Sequence, residues 1–255
     1  MLFRPVYGPE LEAIFVFITE ADEPVSREDI YQAFLPSQQG KTSVSTQGVD
    51  DALSFLAAAH LVKGNKRFRT TPPNTHEPFQ LLVLHQLQAL AQGHLESNHE
   101  TDPLYLQLLD QLYIKPDHIF ISDLHTAANR MRAVKRIGGL SQEKVRAWKR
   151  VMSFLGLGHR IGNGFQCTLS PILLLDIIDK WLTNETAIHA FIETSLSQYL
   201  PSQTQLGELA QAVQQAFLYL TNHGQLGMHT RQDSSSRPYF GQRQWRYMTH
   251  NRGEI

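Results

Sequence analysis

Apolar positions recur along most of this chain at the three-to-four-residue spacing of amphipathic helices. Short alternating stretches around glycine-containing turns interrupt them. Leu11, Ile14, Phe15 and Ile18 give one apolar face to a helix beginning near Pro9. Pro24-Val25-Ser26 stops it, and Ser26 with Asp29 makes a capping-box start for a helix over Ser26–Phe34. The polar run Leu35–Thr46 reads as a loop. A third helix, from about Thr46 to His60, turns Val49, Leu53 and Leu56 inward, and LVKGNKRFRT follows as strand, turn and strand about Gly64-Asn65.

Thr71–Pro78 is a linker by its prolines and polar residues. A leucine-rich helix is expected over Phe79–Gln92. A second is expected over Pro103–Tyr113, with Asp102 as N-cap and Pro103 at the first helical position. The stretch Ile119–Ser170 predicts a strand, a helix over Asp123–Met131 capped by Ser122, a Gly138-Gly139 break, and a helix over Gln142–Leu155 capped by Ser141. Gly156 suits the position just past that helix. LGHRI and FQCTL then flank the turn Gly162-Asn163-Gly164.

Beyond it the pattern predicts a buried helix from Pro171 and helices over Glu185–Leu200 and Leu206–Asn222. LGMHTRQ and QRQWRYMT can pair as strands across a long loop. Three segments thus share one grammar of apolar helix, strand, turn and strand, alike in pattern and not in residue identity. The expected limits are 1–72, 73–182 and 183–255.

Charge changes the picture locally, not globally. The chain of 255 residues has a formal charge of −1, yet Ile119–Ser170 carries Arg130, Arg132, Lys135, Arg136, Lys144, Arg146, Lys149, Arg150 and Arg160 against Asp123 and Glu143. On Gln142–Leu155, Val145, Trp148, Met152 and Leu155 share the expected core side. Gln142, Arg146, Lys149, Arg150 and Ser153 lie on the other. A one-signed helix face is what phosphate binding requires, although a solvated helix face also accounts for it.

Helix, turn, basic helix and hairpin, in that order, resembles the winged helix-turn-helix family of DNA-binding proteins. The resemblance implies that the second helix enters a major groove and the hairpin wing touches backbone or minor groove. Gln142, Lys144, Arg146, Lys149 and Arg150 match the recognition-helix position, and Arg160 with Asn163 match the wing. The first segment has a basic hairpin (Lys63, Lys66, Arg67, Arg69) but an acidic helix start (Asp50, Asp51), so its helix is not expected to read a groove. Basic hairpins also serve to blunt edge strands. In the last segment Arg231, Arg237, Arg243, Arg246 and Arg252 outweigh Asp233 and Glu254. Tyr239, Phe240, Trp245 and Tyr247 interleave with them, as stacking aromatics or as a core beneath arginine stems.

Enzyme signatures are absent. The sequence has no nucleophile elbow, phosphate-cradling loop, dinucleotide fingerprint or zinc-protease motif. Glu143-Lys144 lacks the intervening residue of an E-x-K nuclease core. His94, His99, Glu100 and Asp102 fit no ligand spacing, and turn or capping roles account for Asp117, His118, Asp123 and His125. A single cysteine, Cys167, permits no internal disulfide and reads as buried and inert.

No apolar run approaches the ~20 residues that span a bilayer, and the start lacks a signal peptide. A cytoplasmic, nucleoid-associated protein is expected. The expected fold is mainly α with short β-hairpins, as tandem winged-helix units joined by helical segments. The expected function is non-enzymatic double-stranded DNA binding without cofactor or metal, in transcription regulation or as a subunit of a larger complex, and as a homodimer or complex partner. The alternative is an interaction module resembling the winged-helix accessory subunits of chromosome-organising or defence ATPases.

Overall fold

The computed structural model describes residues 1–35, 45–71, 77–97, 99–181, 185–230, 239–240 and 245–251. Its elements begin with α1 (Gly8–Thr19), β1 (Val25–Ser26), α2 (Arg27–Phe34), α3 (Gln47–Ala58), β2 (Val62–Gly64), β3 (Arg67–Thr70) and α4 (Phe79–Ala91). Then come α5 (Leu104–Leu109), a π-helical turn (Asp110–Ile114), β4 (Phe120–Ile121), α6 (Leu124–Arg130), α7 (Arg132–Arg136) and α8 (Gln142–Phe154). The rest is β5 (Gly158–Ile161), β6 (Gly164–Cys167), α9 (Pro171–Trp181), β7 (Glu185–Ala187), α10 (Ile188–Thr194), a 3-10 turn (Leu196–Gln198), α11 (Gln211–Asn222), β8 (Leu226–His229) and β9 (Tyr247–His250).

The fold is mainly α with short β-hairpins. Three antiparallel sheets have the orders β1-β3-β2, β4-β6-β5 and β7-β9-β8. Each is preceded by a helix, and each interposes helices between its first strand and its hairpin. Each therefore places its last strand in the middle.

The chain divides into two compact units, Met1–Tyr105 with Arg132–Leu155, and Leu106–Met131 with Gly156–Ile255. In the first unit, α1 buries Leu11, Ile14, Phe15 and Ile18, the face its spacing predicts. The Ser26–Asp29 capping box forms, with Ser26 Oγ accepting from the Asp29 amide and Asp29 accepting from the Ser26 amide. The Ser26 hydroxyl bond also holds the Asp29 carboxyl below its usual range. Phe79 of α4 packs against Phe15 and Phe154 at ring-centroid distances of 5.2 and 6.2 Å. Gly64, at φ +129°, lies so close to the Arg67 carbonyl that a Cβ there would stand 1.8 Å from its oxygen. Only glycine closes this hairpin.

In the second unit, Tyr113 packs edge-on to Phe165 and donates to its carbonyl oxygen at 3.2 Å. Phe191 and Phe240 each pack edge-on against Phe217.

Several local expectations are corrected. Asp123, not Ser122, caps α6: its carboxylate accepts the Thr126 amide and hydroxyl. Asp102 accepts the Leu2 amide at 2.7 Å, which ties the start of the chain to the α5 entry. The expected helix at 185–200 begins instead as β7, because Glu185, Thr186 and Ala187 pair with Thr249, Met248 and Tyr247. The helix expected from Leu206 starts at Gln211, whose amide donates to Asp117 Oδ1 at 2.6 Å. Leu206 itself is exposed. The expected loop at 36–44, the middle of the linker (72–76) and the end of the second expected domain at 182 lie outside the described residues.

Candidate nucleic-acid interface

Helix α8 forms where the sequence places it. Ser141 is extended and its Oγ accepts the Lys144 amide at 3.3 Å, satisfying a free donor of the first turn. Val145, Trp148, Val151 and Met152 are buried, and Trp148 Nε1 donates to the Tyr105 carbonyl at 2.6 Å. That bond fixes the roll of the helix, and with it which side chains face outward. Gln142 and Arg146 are exposed, and Lys144, Arg150 and Ser153 are half-buried.

Lys149 departs from the expectation. The sequence pattern places it on the outward face, yet it is only 3% exposed. At 100° per residue it sits only about 40° round the helix from Val145, against the apolar arc. Its charge assigned it to the polar side, but its four-methylene stem suits the arc's margin.

Arg150 is engaged within its own unit. Its guanidinium lies 4.3 Å from the centroid of the Tyr7 ring. Tyr7 is the extended residue preceding α1, and its carbonyl accepts the Leu11 amide at 3.0 Å. Beside it, Gly8 faces Phe154 of α8 so closely that a Cβ would stand 1.9 Å from the ring. Sequence reading missed Tyr7, because one aromatic ahead of a Gly-Pro helix start carries no periodic signal. Arg132, Lys135 and Arg136 of α7 are exposed around buried Val134.

The β2–β3 hairpin of the same unit exposes Lys63, Lys66, Arg67 and Arg69 while Phe68 points inward. Lys63 stands directly opposite Arg69, a like-charge pairing that weakens a sheet unless an anion intervenes. The acidic start of α3 is occupied internally. Asp50 accepts from Arg27 Nη1, Tyr31 Oη and Thr46 Oγ1 at 2.6, 2.6 and 2.9 Å. Buried Asp51 pairs with Arg4 at 3.0 Å.

In the second unit, Arg160 and Asn163 are exposed on and beside the β5–β6 turn, and Arg130 is exposed at the end of α6. Hydrogen bonds from the Thr126 hydroxyl and amide hold the Asp123 carboxyl below its usual range. Cys167 is buried, and burial pushes its thiol up to about 12. Tyr239 and Phe240 are buried, so these two aromatics form core and not a stacking surface. Arg231, Arg237, Arg243 and Arg252 lie outside the described residues.

Among the described residues, no group of three or more His, Cys, Asp or Glu side chains is placed to hold a metal ion. None of the described helices is long and apolar enough to cross a membrane. No family model, curated protein or solved structure matches this chain.

Proposed function

We propose that the protein is a non-enzymatic, tandem winged-helix protein that binds double-stranded DNA, in gene regulation or as the DNA-contacting subunit of a larger assembly. The observation that carries this reading is the division of α8, with Trp148 locked inward and Gln142 and Arg146 outward. Gln and Arg reach adenine and guanine edges in a major groove. Within the α8 unit Lys144 takes a phosphate-contacting role, with Arg132, Lys135 and Arg136 adding field; in the second unit Arg160, Asn163 and Arg130 are phosphate-contact candidates in their own right. The repeated order of helix, strand, helices and hairpin, with the last strand central each time, supports the family assignment. Buried Lys149 cannot reach a groove and makes no such contact.

The test is a salt-titrated gel shift on mixed-sequence duplex. Arg146→Glu combined with Gln142→Glu is expected to abolish salt-sensitive binding while the protein melts as the parent does. Binding unchanged in that variant overturns the placement of the site.

A second reading, an accessory module that holds an ATPase subunit, is favoured by one feature. The recognition-position helix of the first repeat commits both its aspartates to internal partners and offers no cationic face. Co-purification with a large ATPase and no autonomous DNA binding selects that reading.

A further inference from the structure

Tyr7 is half exposed, at 51%, although one face of its ring is covered by a guanidinium. This arrangement is built, not incidental. The Leu11 amide holds the Tyr7 backbone, Gly8 admits the Phe154 ring directly beside it, and Arg150 rises from α8 one helical turn before Phe154. Arg146 stands one turn earlier on α8 and is exposed. Residues four apart on a helix have Cβ atoms about 6 Å apart, so an exposed guanidinium neighbours the cation–aromatic pair. Aromatic rings and arginine planes are the surfaces on which unpaired bases stack, and every base has a face that fits. Both side chains are already ordered against each other, which lowers the entropy lost on binding.

We infer that Tyr7 and Arg150 form a stacking platform for an unpaired nucleobase beside the cationic face of α8. The preferred ligand is then duplex DNA with a single-stranded overhang or junction rather than blunt duplex. The inference rests on the DNA-binding reading above and adds a residue, Tyr7, and a substrate class that the helix face alone does not specify. Arg146 takes the phosphate next to the stacked base. Glu10 on α1 and Glu143 on α8 are exposed carboxylates of the same two helices and oppose the polyanion.

The test uses the full chain with two probes, a blunt duplex and the same duplex with a short 3′ overhang carrying 2-aminopurine. Wild-type protein is expected to quench the overhang fluorophore and to prefer the overhang. Tyr7→Leu is expected to lose about tenfold on the overhang and under about twofold on blunt duplex, the size of one lost base stack. Tyr7→Phe should retain the preference, and Arg150→Lys, which keeps charge but not the plane, should lose it. A thermal melt of each variant separates loss of binding from loss of fold. Equal affinity of wild type for both probes, or an unchanged preference in folded Tyr7→Leu, overturns the inference and leaves duplex binding standing. No binding to either probe overturns the DNA reading and this one with it.

Discussion

Arg27 Nη1 donates to Asp50 Oδ1 at 2.6 Å, joining α2 to the first turn of α3. The same guanidinium donates to the Asn65 carbonyl at 3.3 Å and lies 5.4 Å from the Phe68 ring centroid. One side chain thus ties a helix, a second helix, a turn and a strand. Tyr31 donates to the same Asp50 oxygen. Asp50→Ala leaves Arg27 and Tyr31 without their acceptor. It is expected to cost about 1–2 kcal/mol, discounted for partial exposure, and chemical denaturation checks this. Asp50→Asn, which still accepts, should cost less.

Lys149 and Arg146 are one turn apart on α8 and should behave oppositely. Lys149→Glu reverses a charge at a buried position and is expected to destabilise by about 2 kcal/mol or more. Lys149→Met, which keeps the stem and introduces no opposite charge, should cost less than Lys149→Glu. Arg146→Glu should melt like the parent. Melting curves for the three variants decide whether the exposed and buried assignments are right.

Gly8 has no room for a methyl group, because the Phe154 ring occupies the space. Gly8→Ala is expected to lower stability by about 1–3 kcal/mol, the usual cost of overpacking. Adding Phe154→Leu should recover part of it. No recovery would mean that the clash is not what Gly8 avoids.

The basic hairpin separates stability from binding. Lys63→Gln with Arg69→Gln removes opposed like charges, and is expected to leave stability unchanged or raise it by about 0.2–1 kcal/mol. If the hairpin grips duplex phosphates, the slope of log affinity against log salt should fall by about 2, at roughly 0.9 per contact. An unaltered slope would assign the pair to edge protection alone.

Cys167 sets an alkaline limit. Its folded thiol is raised from 9.0 to about 12 by burial. A raised folded value means that the contribution is fully present below the unfolded value and is lost as pH climbs through it towards the folded one. Stability is therefore expected to decline from about pH 9 upward, and Cys167→Ala should flatten part of that decline. Burial raises Tyr105 and Tyr113 in the same direction. The thiol should also resist alkylation at pH 8 until the protein is unfolded.

Much of the fold is legible in the sequence because its signals are local. Ser26–Asp29, Ser141 and the glycine turns of two hairpins act within a few residues, and α2 and α8 start where those caps stand, while the apolar period alone places α1 and α3. What escaped is what distant partners decide. The stretch Glu185–Ala187 is helical by pattern, yet it pairs with a strand some sixty residues later. The cap of α11 comes from Asp117, 94 positions away. The candidate site divides along the same line. The apolar side of α8 follows from period, but Lys149 at its margin was assigned by charge, and side-chain angle outweighed charge. Tyr7 gained its guanidinium partner only through the packing of α1 on α8.

In the third sheet, β9 pairs with both β7 and β8, and it occupies only Tyr247–His250. A chain broken ahead of Tyr247 would therefore leave both remaining strands of this sheet without their ladder. During synthesis that sheet cannot form until Tyr247–His250 has left the ribosome, some sixty residues after β7, so its early strands wait as unpaired edges.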